Sequence, residues 1–428
     1  MKRHFFVSVF TFGFFISAVS GGASQRTNAV QWAKPLAQDS VTVHQVREHE
    51  DPEKWICVGS PDLIRLPSGR LIASMELWLQ MPGNGIEGGI DYPNHCLIKA
   101  SDDDGKTWKQ ISTTSVTWGS LFAVNNSLYL IGNNPHTRSI IIVRSEDGGK
   151  TWSEEAPLFE DSKYHGAPTP VLIKNGFAYR AFEDTNRPFS SLVVAGDLSK
   201  DLLDPASWRM SNKVPAPQNV EALMRGPLDK PVEWIEGNII EVKNEMLVLL
   251  RTGIGLERVT GIAGVCQLTD DGENLDYRFL QYHAIPGGQN KFDIVYDPLT
   301  DLHWSCVVIV PDSYQDPEPL AAKGFKGPPG NMRRILMLVY SRDALNWFQA
   351  GCVAMSKNPM ESFHYSSQLI DGDDLLVLSR TSLGGELPYN NHDSNQITLH
   401  RVKDFRRLAL DLTPDFSFRA NEAPMGED

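Results

Sequence analysis

After an apolar start, the chain resolves into short runs rich in Val, Ile, Leu and aromatic residues, each closed by Gly, Asn, Asp or Pro. No extended segment repeats its apolar residues at helical spacing, and the runs have strand length, so the sequence predicts an all-β protein. The runs also group in fours. DLIRLP, RLIASMEL, HCLIKASDDDG and TWKQI form the first group; SLFAVN, SLYLIGN, SIIIVRSEDGG and TWSEE form the second. TPVLIKN, FAYRAFED, SLVVAGD and SWRMS follow, then GNIIEVK, MLVLLRT, IAGVCQLTDDG and YRFLQ, then KFDIVYDP, LHWSCVVIV, ILMLVYSRDALN and WFQAG. The sixth group offers only SSQLID, LLVLSRT and ITLHRV, and the missing strand is available as VTVHQV, ahead of the first group.

Six four-stranded units, the last completed by the amino-terminal strand, predict a six-bladed β-propeller that closes on its own termini and leaves no long strand edge open. A single domain is expected over residues 25–428. The segments Val214–Pro231 and Pro311–Gly330 read as long loops, which in compact scaffolds are disproportionately functional.

Between third and fourth strands the octet SDDDGKTW, Ser101 to Trp108, recurs as SEDGGKTW, Ser145 to Trp152. Looser versions stand near Thr269 and at SRDALNW from Ser341. Asp suits such a turn by accepting backbone N–H bonds, Gly by its positive φ, and Trp by packing on the sheet. A calcium loop is the competing reading, but an EF-hand starting at Asp102 needs a Glu in twelfth place and finds Thr113. No metal and no cofactor is expected.

These octets resemble the Asp-box (BNR) repeats of the sialidase-like superfamily, whose six-bladed propellers carry such turns away from the active site. The resemblance places the site in the axial funnel, where first strands begin and second strands end. Those positions hold Asp62, Glu76, Trp118, His165, Glu183, Glu236, Arg251, Lys291, Asp293, His364, Tyr365 and Arg380. Ionisable groups of both signs converge there, as a site for a polar, anionic ligand requires.

Three segments sharpen the resemblance. WIEGNIIEVKNEMLVLLRT is similar to the sialidase segment with a Glu that polarises the nucleophile and an Arg that grips the substrate carboxylate, here Glu236 and Arg251. HYSSQLIDGDDLLVLSRT resembles the segment with the Tyr nucleophile, here Tyr365. RRILMLVYSRDALNW resembles the one with a second carboxylate-binding Arg, here Arg333, or Arg334 in a shifted register. A Tyr hydroxyl, with a pKa of about 10, needs a carboxylate to take its proton. Beside an anionic sugar a phenol avoids the repulsion a carboxylate nucleophile would meet, and arginines bind carboxylates in bidentate fashion.

The chain departs from the family where an Arg-Ile-Pro element would supply the central arginine, for it reads Gly59-Ser60-Pro61-Asp62. Arg380, Lys291 and Arg138 are the cations available instead. For the acid/base, Asp62, Glu76 and Glu87 all lie near the expected region, and Glu76 is preferred. His165, in KYHGAPTP, and His392, in YNNHDSNQ, are further candidate sugar contacts.

Lys2 and Arg3, an apolar run from Phe5 to about Val19 and then small residues predict a signal peptide over residues 1–24 and a secreted, periplasmic or cell-surface protein. No later segment is long and apolar enough to cross a bilayer. The net charge of −13, without basic clusters, argues against nucleic acid as a partner. Five scattered cysteines without CxxC spacing read as buried thiols, a Cys57–Cys96 bridge staying open. No phosphate-binding loop, GxSxG elbow or HExxH helix occurs.

The leading expectation is therefore a monomeric glycosidase acting on a terminal sugar of a glycan. A propeller lyase acting on uronic acids, with His165 or Tyr365 as base, is one alternative. A non-catalytic glycan binder stacking sugars on Trp118 and Trp234 is the other.

Overall fold

The computed structural model describes residues 32–415 apart from 49, 52, 81–95, 187, 221, 222, 224–230, 255–260, 312–316, 324, 326–328 and 385–390. Residues 1–34 and 35–428 are separate compact units, and only the second is described below. The expected signal peptide and Glu87 lie outside the described residues.

Six antiparallel sheets follow one another in chain order. Blade one is built on Asp62–Arg65, Leu71–Gln80, Cys96–Ser101 and Lys109–Thr114; blade two on Thr117–Val124, Ser127–Asn133, Ile140–Ser145 and Ala156–Phe159. Blade three contains Phe177–Asp184, Ser190–Asp197 and Trp208–Met210; blade four Glu233–Val242, Glu245–Gly253, Ile262–Asp270 and Leu275–Ala284. Blade five contains Asp293–Asp297, Leu302–Val308, Ile335–Ser341 and Phe348–Met355. In blade six Ser362–Asp371, Asp374–Ser382 and Gln396–Val402 are joined by Ser40–Gln45, which pairs antiparallel with Gln396–Val402. The ring closes through its amino-terminal strand, as the sequence predicts.

Local chemistry explains where the strands differ from expectation. The inner strands of blades one and three are each split. Trp55–Val58 and Asp62–Arg65 both pair with Leu71–Gln80, and Tyr164–His165 and Leu172–Lys174 both pair with Phe177–Asp184. The interruptions contain Pro61, and Pro168 and Pro170, which have no N–H to give a ladder. Blade two's outer strand begins at Ala156 rather than Thr151 because the turn claims Thr151. The long segment before Gly330 contains a short helix, Pro317–Ala322.

The core is divided into six apolar layers, one between each pair of neighbouring blades. Each sheet therefore buries both faces. Ser127–Asn133 is buried at every position, and such a strand shows little polar alternation. Trp234 belongs to the layer between blades three and four. It is fully buried against Phe279 and Tyr282, so it offers no face to a sugar.

The octets are turns held from within. Asp103 Oδ1 accepts the Thr107 N–H at 2.9 Å, its Oδ2 accepts the Thr107 hydroxyl at 2.6 Å, and Asp147 makes the equivalent pair to Thr151 at 2.9 and 2.7 Å. These bonds hold both carboxylates down at about 2. With those oxygens engaged, the turn reading displaces the calcium reading. Among the described residues no group of three or more His, Cys, Asp or Glu side chains is placed to hold a metal ion. Cys57 and Cys96 are both free and buried.

At the centre of the ring, Asp62 ties three blades together. Its Oδ1 accepts the Leu63 N–H at 2.9 Å and the Ser367 hydroxyl at 2.7 Å, and its Oδ2 accepts the Leu121 N–H at 2.7 Å.

Candidate active site

The funnel side chains come from one repeated piece of geometry. In blades two, four and six the inner strand carries one extra residue against its partner, between Thr117 and Ser120, Ile235 and Asn238, and His364 and Ser367. Each bulge contains a residue with positive φ: Trp118 at 52°, Glu236 at 61° and Tyr365 at 47°. Bulges re-aim side chains, and bulky residues in the left-handed region are uncommon outside strained functional sites. The residue before each bulge pairs with the end of the second strand, at Asn133, Arg251 and Arg380 respectively. Blade six thus offers Tyr365 and Arg380 where blade four offers Glu236 and Arg251.

These four converge. Arg251 Nη1 donates to Glu236 Oε2 at 3.0 Å and to Tyr365 Oη at 3.0 Å. One nitrogen therefore joins the carboxylate and the phenol, and Arg251 Nε is anchored on the Gln289 carbonyl at 2.8 Å. The guanidinium carbons of Arg380 and Arg333 stand 5.0 and 5.5 Å from the Tyr365 ring centroid. Three guanidinium groups gather on a single phenol, and Arg251 ties the Glu236 carboxylate to it.

No family model matches the sequence, and no curated protein matches it. Among solved structures, an α-L-arabinanase from Penicillium chrysogenum complexed with arabinobiose gives a TM-score of 0.51 at 13% identity, covering 86% of this chain and 99% of that one. Trypanosoma rangeli sialidase in complex with sialic acid gives 0.53 at 14%, over 89% of this chain and 59% of that one. A Hadza microbial sialidase gives 0.52 at 15%, over 81% of this chain and 66% of that one. The chain has the sialidase-like six-bladed propeller fold. It spans less than two thirds of the length of the two sialidases.

Of the cations expected in place of the absent Arg-Ile-Pro arginine, Arg380 is the one brought to Tyr365. Arg380 lies between the Tyr365 ring and the Trp78 ring, 4.4 Å away, and donates through Nη2 to the His392 carbonyl. Lys291 is buried and held by Asp293 Oδ1 at 2.6 Å and the Ser366 carbonyl at 2.7 Å. Arg138 stacks on Trp118, 5.2 Å from its centroid. Arg333 donates to Asn331 Oδ1 at 2.9 Å and to His364 Nδ1 at 2.8 Å. His364 Nε2 then donates to Ser394 Oγ at 3.1 Å, so this buried imidazole serves to aim Arg333. Burial and the surrounding arginines push its pKa well down.

The carboxylates divide by environment. Glu236 is held below its usual value: burial pushes it up, but the Arg251 charge and bond outweigh that. Glu76 is pushed up to about 7, chiefly by burial, with the Ser60 N–H and the Arg380 and His165 charges pulling the other way. Its Oε1 accepts the Ser60 N–H at 2.8 Å. A Cβ at residue 59 would fall 2.1 Å from the Glu76 carboxyl carbon, so Gly59 is what admits that carboxyl. Asp62 is also pushed up by burial, with its oxygens engaged between blades.

His165 pairs with Glu183 at 2.9 Å, and Trp118 lies against the imidazole at 4.5 Å. His392 bonds Asp393 at 2.9 Å and lies 6.4 Å from the Tyr365 ring; burial and Arg380 push its pKa down to about 4. Sequence reasoning missed two neighbours of the site. Trp78 was detectable, two residues beyond Glu76 on the same strand face. Asn331, which aims Arg333, sits in a short 3-10 turn with no pattern to mark it.

Proposed function

We propose that the chain is a glycoside hydrolase that removes a terminal anionic sugar from a glycan, with Tyr365 as nucleophile and Glu236 as its base. The observation that carries this is the single Arg251 nitrogen bonded to both groups, beside Arg333 and Arg380. An ionised carboxylate next to a phenol is the arrangement that turns a poor nucleophile into an effective one. Three arginines on the same ring call for an acidic group on the sugar next to the reacting carbon. The sialidase neighbour bound to sialic acid supports that sugar class, and the arabinanase neighbour supports glycoside hydrolysis more broadly.

The test is a panel of 4-methylumbelliferyl glycosides of acidic and neutral sugars, with the wild type, Tyr365→Phe and Glu236→Gln. Turnover of an acidic glycoside, lost in both variants, and a 2-fluoro sugar trapped on the Tyr365 peptide are expected. Wild-type turnover that survives Tyr365→Phe would sink this assignment.

A further inference from the structure

Of the three carboxyl groups expected near the acid/base position, Glu87 lies outside the described residues, and Asp62 and Glu76 are buried with their oxygens engaged. Asp62 accepts three donors from three blades, and Glu76 is tucked against Gly59 and Ser60. We propose that His165, held by Glu183, is the acid/base of this propeller: it protonates the leaving oxygen and later takes the proton of the incoming water. The inference rests on the glycosidase reading and assigns it a proton donor.

Three observations converge on it. His165 Nδ1 bonds Glu183 Oε2 at 2.9 Å, and the Glu183 side chain is fully buried. The second Glu183 oxygen accepts the Glu236 backbone N–H at 2.6 Å, which fixes the carboxylate and locks the histidine to the bulge that presents the base. Second, Nε2 makes no hydrogen bond among the described residues, while the side chain is 18% exposed. A partly exposed histidine with one nitrogen on a buried carboxylate and the other unbonded has the layout of a catalytic acid/base and its orienting group. Third, its position is set by Trp118, whose ring lies 4.5 Å away and is backed by Arg138. Trp118 occupies the same strained bulge position in blade two that Glu236 and Tyr365 occupy in theirs.

In the first step Tyr365 Oη bonds the anomeric carbon as its proton passes to Glu236. The glycosidic C–O bond breaks, and the leaving oxygen takes the Nε2 proton of the imidazolium. The Glu183 carboxylate stabilises that imidazolium before transfer and keeps the proton on Nδ1 after it. In the second step water bonds the anomeric carbon and gives a proton to Nε2. The Tyr365 C–O bond breaks, and the phenol recovers its proton from Glu236.

The experiment compares the methyl and 4-methylumbelliferyl glycosides of one sugar in wild type, His165→Asn, His165→Gln and Glu76→Gln, each with its unfolding temperature. If His165 is the acid, kcat for the methyl glycoside falls by roughly 10²- to 10⁴-fold in both His165 variants. The aryl glycoside, whose leaving group needs no proton, loses far less in its first step, and azide restores turnover. Equal losses on both glycosides, or the leaving-group dependence appearing in Glu76→Gln instead, overturn the proposal. Aryl turnover that survives Tyr365→Phe sinks the nucleophile assignment instead, which separates the two failures. A readout independent of activity is the imidazole ¹⁵N spectrum, with His165 identified by its loss in His165→Asn. A proton on Nδ1 that shifts in Glu183→Gln supports the dyad, and a proton settled on Nε2 with Nδ1 bare overturns it.

Discussion

Glu236 and Tyr365 occupy one position in two blades: each is the left-handed residue of an inner-strand bulge, at φ 61° and 47°, and each has an arginine at the facing strand end. The propeller repeat thus presents Glu236 and Tyr365 by the same backbone device. Arg251 links them, while Arg380, its counterpart in blade six, covers the opposite side of the phenol.

This relationship predicts distinct kinetic outcomes. Tyr365→Phe and Glu236→Gln should each cut kcat by roughly 10²- to 10⁴-fold with folding intact, because neither change alters shape. Arg380→Lys should mainly raise KM for an acidic sugar, since a lysine cannot reproduce the planar contact with Trp78 and Tyr365. Steady-state kinetics on an acidic and a neutral aryl glycoside checks both. A KM effect of Arg380→Lys that is equal for the two sugars would remove the anion-binding role.

Asp62 should behave as a keystone of the fold. Asp62→Ala strands the buried Leu121 N–H and Ser367 hydroxyl and leaves the Leu63 N–H only its 3.2 Å bond to Ser367 Oγ. Leaving buried donors unpaired is expected to cost about 3 to 5 kcal/mol. Chemical denaturation measures this loss. A variant of wild-type stability with selectively abolished turnover would return Asp62 to the catalytic set.

Two buried carboxyls set a pH dependence. Burial raises Glu76 from 4.5 to about 7 and Asp293 from 3.8 to about 7. Between the unfolded and folded values the native state binds the extra protons. The stability these groups contribute is therefore full below about pH 4 and is lost as pH rises through about 7. Glu76→Gln, a neutral mimic of the protonated acid, should gain on the wild type by up to the order of 3 kcal/mol between about pH 5 and about pH 8. Glu236 works in the other direction, since its lowered value gives stability above the unfolded pKa that is lost in acid. Urea unfolding of wild type and Glu76→Gln across this range checks the sign, and parallel curves would refute it.

The strands, their grouping and the circular closure were legible because each blade is an apolar run interrupted by turn residues, and the octets announce where third strands end. Glu236, Arg251, Tyr365 and Arg333 were legible as segments resembling a family. The bulges were not: Trp, Glu and Tyr have no preference for positive φ, and only Gly119 and Gly237, each next in line after the bulged residue, hint at irregular backbone. Trp234 looked like a funnel aromatic because it precedes Glu236 by two residues. Its ring instead lies on the blade's flank, in the layer shared with blade three. The His165–Glu183 pair joins two strands of a blade whose inner strand is broken by prolines, and no spacing in the chain shows that contact.

The closing seam gives the last prediction. Ser40–Gln45 is the outermost strand of blade six and covers the edge of Gln396–Val402. Val43 packs with Val58, Leu63 and Leu399 in the layer between blades six and one. Across the same seam Arg401 bridges Asp104 at 2.9 Å and Asp374 at 3.0 Å, and Arg65 bridges Asp104 at 2.6 Å and Asp371 at 2.8 Å. These ion pairs are partly exposed, so Arg401→Gln should cost only on the order of 1 kcal/mol. Loss of the strand is different, because it uncovers a row of unpaired backbone groups and one apolar layer together. Removing residues 1–24 should leave the unfolding temperature unchanged. Removing residues 1–46 should collapse it and drive aggregation, which thermal unfolding with light scattering reports. Equal stability of the two truncated chains would show that the ring does not depend on its amino-terminal strand.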